Sequence, residues 1–164
     1  MLEIKEVKTK ADMRKFVDFP FRLYKGERNY VPSFRSDEIG MLDPAKNPSL
    51  ADCSVRCWLA YKDGKLAGRV AGIIQKKYNS ISGRKCIRFS RFDCIDDQSV
   101  ANALLAEVER YGRAEGMDTM HGPWGFNDQD REGLLTYGFD RRATYATNYN
   151  YEYYEKLVRA AGFA

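Results

Sequence analysis

Two side chains in this sequence have the chemistry to take a proton and stand near the predicted ends of strands: Asp93, in RFDCID, and His121, in MDTMHGP. His121 is the single histidine among 164 residues, and imidazole is the side chain most readily poised near neutral pH. Either group could act as a general base; for His121, beside Gly122-Pro123, the plainer alternative is a turn residue with satisfied hydrogen bonds. No nucleophile stands with an adjacent base in a Ser-His-Asp or Cys-His pattern and no P-loop occurs, so covalent catalysis is not expected. Cys53, Cys57, Cys86 and Cys94 are spaced C-x3-C and C-x7-C. That spacing matches no zinc knuckle, and reduced, half-buried thiols on strands are expected rather than a metal site.

The hydropathy pattern outlines the elements that must position these groups. LEIKEV alternates as a first strand, and Met13, Phe16, Val17, Phe21 and Leu23 mark a short amphipathic helix interrupted near Pro20. A loop rich in proline follows, with a short helix near Ser36 to Leu42; it is long enough to be a lid or a substrate loop. In VRCWLAYKDGKLAGRVAGII two strand-like runs flank Asp63-Gly64, the expected hairpin turn. Gly68 and Gly72 lie on one face of the second run, where either a bulge or a close approach of backbone or ligand would account for them. RKCIRFSRFDCID is a further strand, and Val100, Leu104, Leu105, Val108 and Tyr111 form one face of a helix capped by Asp97 and stopped at Gly116. MDTMHGPWGF reads as a short strand entering a turn, DREGLLTYGF as one or two helical turns, and Tyr151 to Ala161 as a last helix before Gly162. The order of elements predicts an antiparallel hairpin region joined to a β-α-β unit: one α+β domain, a mixed sheet covered by helices in α/β/α layers.

Composition sets broad limits. Hydrophobic content of 44% with 30% charged residues describes an ordinary globular chain. The charged N-terminus is no signal peptide, and no run reaches the roughly 18 apolar residues of a membrane span. A cytoplasmic protein with no membrane partner is expected. The net charge of +4 is concentrated in QKKYNSISGRKCIRFSR, where Lys76, Lys77, Arg84, Lys85, Arg88 and Arg91 have no acidic residue among them. A solvated hairpin explains this stretch; an anionic ligand or RNA is the alternative.

The same order of elements resembles the GCN5-related N-acetyltransferase (GNAT) superfamily. AYKDGKLAGRVAGII looks like its hairpin, RFDCIDDQSVANALLAEVERYGRAEGMDTMHGP like the strand, helix and strand of its cofactor-binding core, and NYNYEYYEKLVRAAGF like its last helix. More narrowly, YVPSFRSDEIGMLDPAKNPSL, HGPWGFNDQDREGLL and YNYEYYEKLVRAAGF resemble an uncharacterised bacterial GNAT-like branch. Family members continue past the Gly-Phe into further strands. The resemblance therefore implies a single GNAT-like domain over 1–164 without the final C-terminal strands, either part of a longer protein or a chain whose open sheet edge is covered in a homodimer.

It further implies transfer of an acetyl or other acyl group from acyl-CoA to an amine, on a small molecule or a peptide. The family cradles the pyrophosphate in a glycine-containing loop at the start of the helix after the fourth strand. The corresponding positions are Gln98, Ser99, Val100, Ala101 and Asn102, in a stretch that has no glycine and is preceded by the carboxylates of Asp96 and Asp97. The family's proton donor, a tyrosine on the last helix, would fall on Val158. Tyr154, one turn earlier, and its neighbour Tyr153 are the candidates here, with Asp93 or His121 as base. The resemblance leaves two functions open, an N-acyltransferase and a GNAT-like binding or dimerisation module that no longer performs transfer; the basic stretch from Lys76 to Arg91 adds a third and least expected one, RNA binding.

Overall fold

The computed structural model describes residues 1–144 and 147–164. Five strands form one sheet in sequence order: β1 (Leu2–Glu6), β2 (Cys53–Lys62), β3 (Lys65–Gln75), β4 (Cys86–Cys94) and β5 (Thr119–His121). The first four are antiparallel and β5 runs parallel to β4. The helices are α1 (Lys10–Leu23), α2 (Arg35–Met41), α3 (Lys76–Ser82), α4 (Gln98–Ala114) and α5 (Tyr153–Ala160).

The β2–β3 turn takes φ values of 50° at Asp63 and 76° at Gly64, the left-handed pair that an Asp-Gly hairpin supplies at little cost. One face of the sheet packs Trp58, Val70, Ile87 and Phe89 against Val100, Leu104 and Val108 of α4 and Leu157 and Val158 of α5. The other face packs Leu59 and Ala71 against Phe16 and Val17 of α1. Gly68 and Gly72 are close-approach positions: a Cβ on Gly68 would sit 2.8 Å from the Leu104 side chain and 2.9 Å from Cys94 Cβ. All four cysteines are free and buried on β2 and β4.

Four expectations need correction. The basic stretch after β3 is not a hairpin, because its first residues fold as α3, which Gln75 caps by accepting from the Tyr78 N–H at 2.7 Å. DREGLLTYGF forms no helical turn; from 122 to 152 the described residues contain neither helix nor strand, and the buried Asn150 side chain ties the loop by accepting from Leu135 N–H at 2.8 Å. The last helix opens at Tyr153 rather than Tyr151. Finally, α1 runs through Pro20 to Leu23. Proline lacks the N–H that would bond the carbonyl four residues earlier, that of Phe16. Arg69 Nη1 donates to this carbonyl at 2.9 Å in its place.

Candidate functional site

β4 carries a bulge that aims its side chains at the site. Ala71 pairs with Ser90 and Arg69 with Asp93, so Arg91 and Phe92 together oppose Val70. Arg91 adopts φ 48°, an unusual value for a residue with a side chain. A bulge bends its strand and re-aims the side chains beyond it. Past this one, Asp93 enters a pocket lined by Tyr24, Tyr30, Arg69, Arg91 and Tyr154. Its enclosed space is about 70 Å³, room for the reacting end of a substrate rather than for a whole one.

Asp93 is held on both oxygens. Tyr24, the residue that caps α1, donates its hydroxyl to Oδ1 at 2.9 Å, and Arg69 Nε donates to Oδ2 at 2.8 Å. Tyr154, from α5, meets the end of β4: its hydroxyl accepts from the Cys94 N–H at 2.8 Å and lies 3.1 Å from the Cys94 carbonyl. Tyr153 donates to that carbonyl at 2.8 Å. The Tyr24 and Tyr154 hydroxyls lie 3.2 Å apart. Burial, reinforced by the Asp93 charge, pushes the Tyr24 phenol well above its usual range, and burial does the same for Tyr154. Both are neutral donors at physiological pH.

A second ionic group adjoins the first. Arg91 donates through Nε to Glu38 at 3.0 Å and through Nη1 to Asp130 at 3.3 Å, with only 6% of its side chain exposed. Burial works against ionisation of Glu38, but the charges of Arg91, Arg69 and Arg131 outweigh it and hold the carboxyl below its ordinary range. The long loop after α1 thus supplies a wall of the pocket through α2.

The sequence candidates divide accordingly. Asp93, Tyr154 and Tyr153 come together at the end of β4. His121 does not join them: it pairs in register with Arg88, five residues before Asp93 on the parallel neighbour, which separates them by roughly 15 Å along the strand. Val158 packs in the core against α4. At the α4 N-terminus, Asp97 Oδ1 accepts from Ser99 N–H at 2.9 Å and Val100 N–H at 3.4 Å. The Ala101 N–H is bonded to the Asp97 carbonyl, and Gln98 Nε2 donates to Asn102 and to the Leu157 carbonyl. Lys62 pairs with Asp97 as well. These donors are already satisfied by the chain itself, so the terminus as it stands does not fit a pyrophosphate. No group of three or more His, Cys, Asp or Glu suited to a metal ion occurs among the described residues, and no helix among them is long and apolar enough to cross a membrane.

Tyr24, Arg69, Arg91, Glu38 and Asp130 carry no mark in the sequence that singles them out as site residues. Each reaches the pocket from a different place in the chain, and the one local signal, a proline inside an amphipathic helix, does not say which side chain fills the carbonyl it frees.

A mixed sheet with an antiparallel arm, a β4 bulge and a parallel β4–β5 pair around helix α4 defines a GNAT-like fold, and solved structures agree. The aminoglycoside N-acetyltransferase AAC(6')-Iy in complex with CoA aligns with a TM-score of 0.57 at 15% identity, over 100% of this chain and 88% of that one. A predicted acetyltransferase with acetyl-CoA from Clostridium acetobutylicum aligns with a TM-score of 0.56 at 9% identity, over 100% and 90%. At these identities the likeness establishes the fold alone.

In sequence, the chain is 31% identical over 131 residues to Protein YghO of Escherichia coli (strain K12), covering 80% of this chain and 33% of that protein. It is 29% identical over 164 residues to the bacterial ceramide synthase of Caulobacter vibrioides (strain NA1000 / CB15N), covering 99% and 43%. The chain thus spans less than half the length of either relative. No family model matches it.

Proposed function

We propose that this chain is an N-acyltransferase, or the part of one that carries the reacting groups, moving an acyl group from a thioester to an amine. The observation that carries the reading is the meeting of Asp93 and Tyr154 in one buried cluster on a pocket at the end of β4. Acyl-CoA is the donor class suggested by the fold; it would enter as a substrate. The acceptor is an amine on a small molecule or peptide. The Caulobacter relative supports amide formation, since a ceramide synthase is named for an amide product.

The residues have distinct parts in this chemistry. Asp93, oriented by Arg69, takes the proton of the attacking amine. Tyr154 gives its proton to the departing sulfur, and the Cys94 N–H steadies the phenolic oxygen while that proton is away. Tyr30, whose phenol burial pushes up to about 12, stays neutral and bounds the pocket. The near-complete burial of the cluster keeps water from competing for the thioester.

A second reading, a GNAT-like module that binds without transferring, is favoured by the α4 terminus, whose amide donors Asp97 already occupies. The two separate on one experiment: incubate the protein with acetyl-CoA or palmitoyl-CoA and a panel of primary amines, and follow amide by mass spectrometry. Protein-dependent amide that disappears in Asp93→Asn is expected. No amide from any pairing would overturn the transferase reading and leave the module.

A further inference from the structure

Asp93 and Tyr154 are not independent groups, because Tyr24 stands between them. Its hydroxyl is 2.9 Å from Asp93 Oδ1 and 3.2 Å from Tyr154 Oη. A carboxylate only accepts hydrogen bonds, so the Tyr24 proton rests on Asp93 at the start, while the Tyr154 hydroxyl, within reach of the Tyr24 oxygen, has the Cys94 carbonyl as an acceptor at 3.1 Å. The Cys94 N–H holds the Tyr154 oxygen from another side. Tyr24, Asp93 and Tyr154 are exposed by only 3%, 8% and 1%. Burial shields a proton released into this cluster from bulk water, and its hydrogen bonds lead from one catalytic group to the other.

We infer that Tyr24 relays the amine's proton from Asp93 to Tyr154, so that the base and the acid of the transfer share one internal proton path. The inference rests on the acyl-transfer reading and adds to it a residue and a direction. As the amine nitrogen bonds to the acyl carbon it loses a proton to Asp93. As the carbon–sulfur bond breaks, the sulfur keeps the electron pair and takes the Tyr154 proton. Once protonated, Asp93 becomes the donor, and the Tyr24 hydroxyl turns from Oδ1 toward the Tyr154 oxygen 3.2 Å away; Tyr24 then passes its proton to Tyr154 and receives one from Asp93. Both tyrosines end as hydroxyls and Asp93 ends as a carboxylate; the net change is one proton moved from nitrogen to sulfur, with nothing oxidised or reduced. Burial makes a lasting phenolate at either tyrosine costly, which favours passage of the proton over its storage.

The test compares wild type, Tyr24→Phe, Asp93→Asn and the double variant. With acetyl-CoA or palmitoyl-CoA and whichever primary amine of the panel is turned over, Tyr24→Phe is expected to lower kcat roughly a hundredfold with KM little changed. The dependence of kcat on the deuterium fraction of the solvent, curved in wild type, is expected to become linear. A structural hydrogen bond alone would not straighten that curve. A readout without turnover runs alongside: with tyrosine labelled at ¹³Cζ, the Tyr154 resonance is expected to move in Asp93→Asn, and to move much less when the same change is made in Tyr24→Phe, where only the direct Asp93 charge is left to act. A wild type that transfers while Tyr24→Phe keeps its full rate overturns the relay and leaves the transferase reading intact. A Tyr154 resonance indifferent to Asp93 in the presence of Tyr24 overturns the relay as well. If the resonances are coupled but wild type transfers nothing, the transferase reading fails and the relay falls with it.

Discussion

Arg69 Nη1 donates to the Phe16 carbonyl at 2.9 Å, the carbonyl that Pro20 leaves without its helical partner. The same guanidinium donates through Nε to Asp93 at 2.8 Å. One proline in α1 therefore fixes the arginine that fixes the proposed base on β4. The helix continues through the proline because a side chain from the sheet takes over its missing bond.

This relationship can be measured. Arg69→Met strips a buried carboxylate of its partner and should destabilise the protein by about 3–5 kcal/mol in urea unfolding. Pro20→Ala supplies an N–H for Phe16. It should therefore be less harmful in the Arg69→Met background than in wild type, by about 1 kcal/mol. Strict additivity of the two changes would mean that the carbonyl is not shared in this way.

Tyr154→Phe removes the acceptor of the buried Cys94 N–H. A loss of about 1–3 kcal/mol in stability is expected from the unpaired donor, together with a fall in amide formation of roughly a hundredfold or more. His121→Ala, roughly 15 Å along the strand by the β4–β5 register, should leave turnover within a few-fold of wild type. Parallel assays of the two variants decide which sequence candidate acts.

The Asp97 carboxyl is held at about 2, against an ordinary 3.8, first by the hydrogen bond from Lys62 and then by Ser99. A depressed value means the fold favours the charged form. The stabilisation is complete above about pH 4 and is lost as pH falls toward 2. In Asp97→Ala this acid-dependent component should vanish, at a cost near 1 kcal/mol at neutral pH for the lost cap. Because the Ser99 N–H would then be free and the carboxylate charge gone, the variant should also bind CoA more tightly than wild type in calorimetry; equal or weaker binding would argue that the pyrophosphate sits elsewhere.

The four cysteines should resist a thiol reagent in the native protein. Burial pushes the Cys57 thiol up to about 12 and raises the Cys53, Cys86 and Cys94 thiols as well, so little reactive thiolate forms at neutral pH. Titration with Ellman's reagent should show slow release without denaturant and four equivalents in urea. A fast-reacting thiol in the folded state would contradict the buried placement.

Local signals determined much of this protein. The alternation of LEIKEV, the Asp-Gly turn, the apolar face from Val100 to Tyr111 and the Asp97 cap are short-range effects, and the sheet and α4 formed where they pointed. Asp93 and Tyr154 could be placed on one pocket because each stands at the end of an element whose place in the fold the order of elements defines. Pro20 misled for a physical reason: its breaking effect is real only when the freed carbonyl finds no other donor, and the donor came from residue 69. The rest was decided by tertiary structure. The β4 bulge at Arg91 arises from how β3 and β4 pair. Tyr24 joins Asp93 across 69 positions and Tyr154 across 130. Such contacts leave no periodicity in the chain, because hydrogen bonds between distant elements depend on where packing sets their backbones. The sequence alone thus determines the elements and where two of the proposed reacting groups stand along them; the folded core decides which groups lie within hydrogen-bond reach.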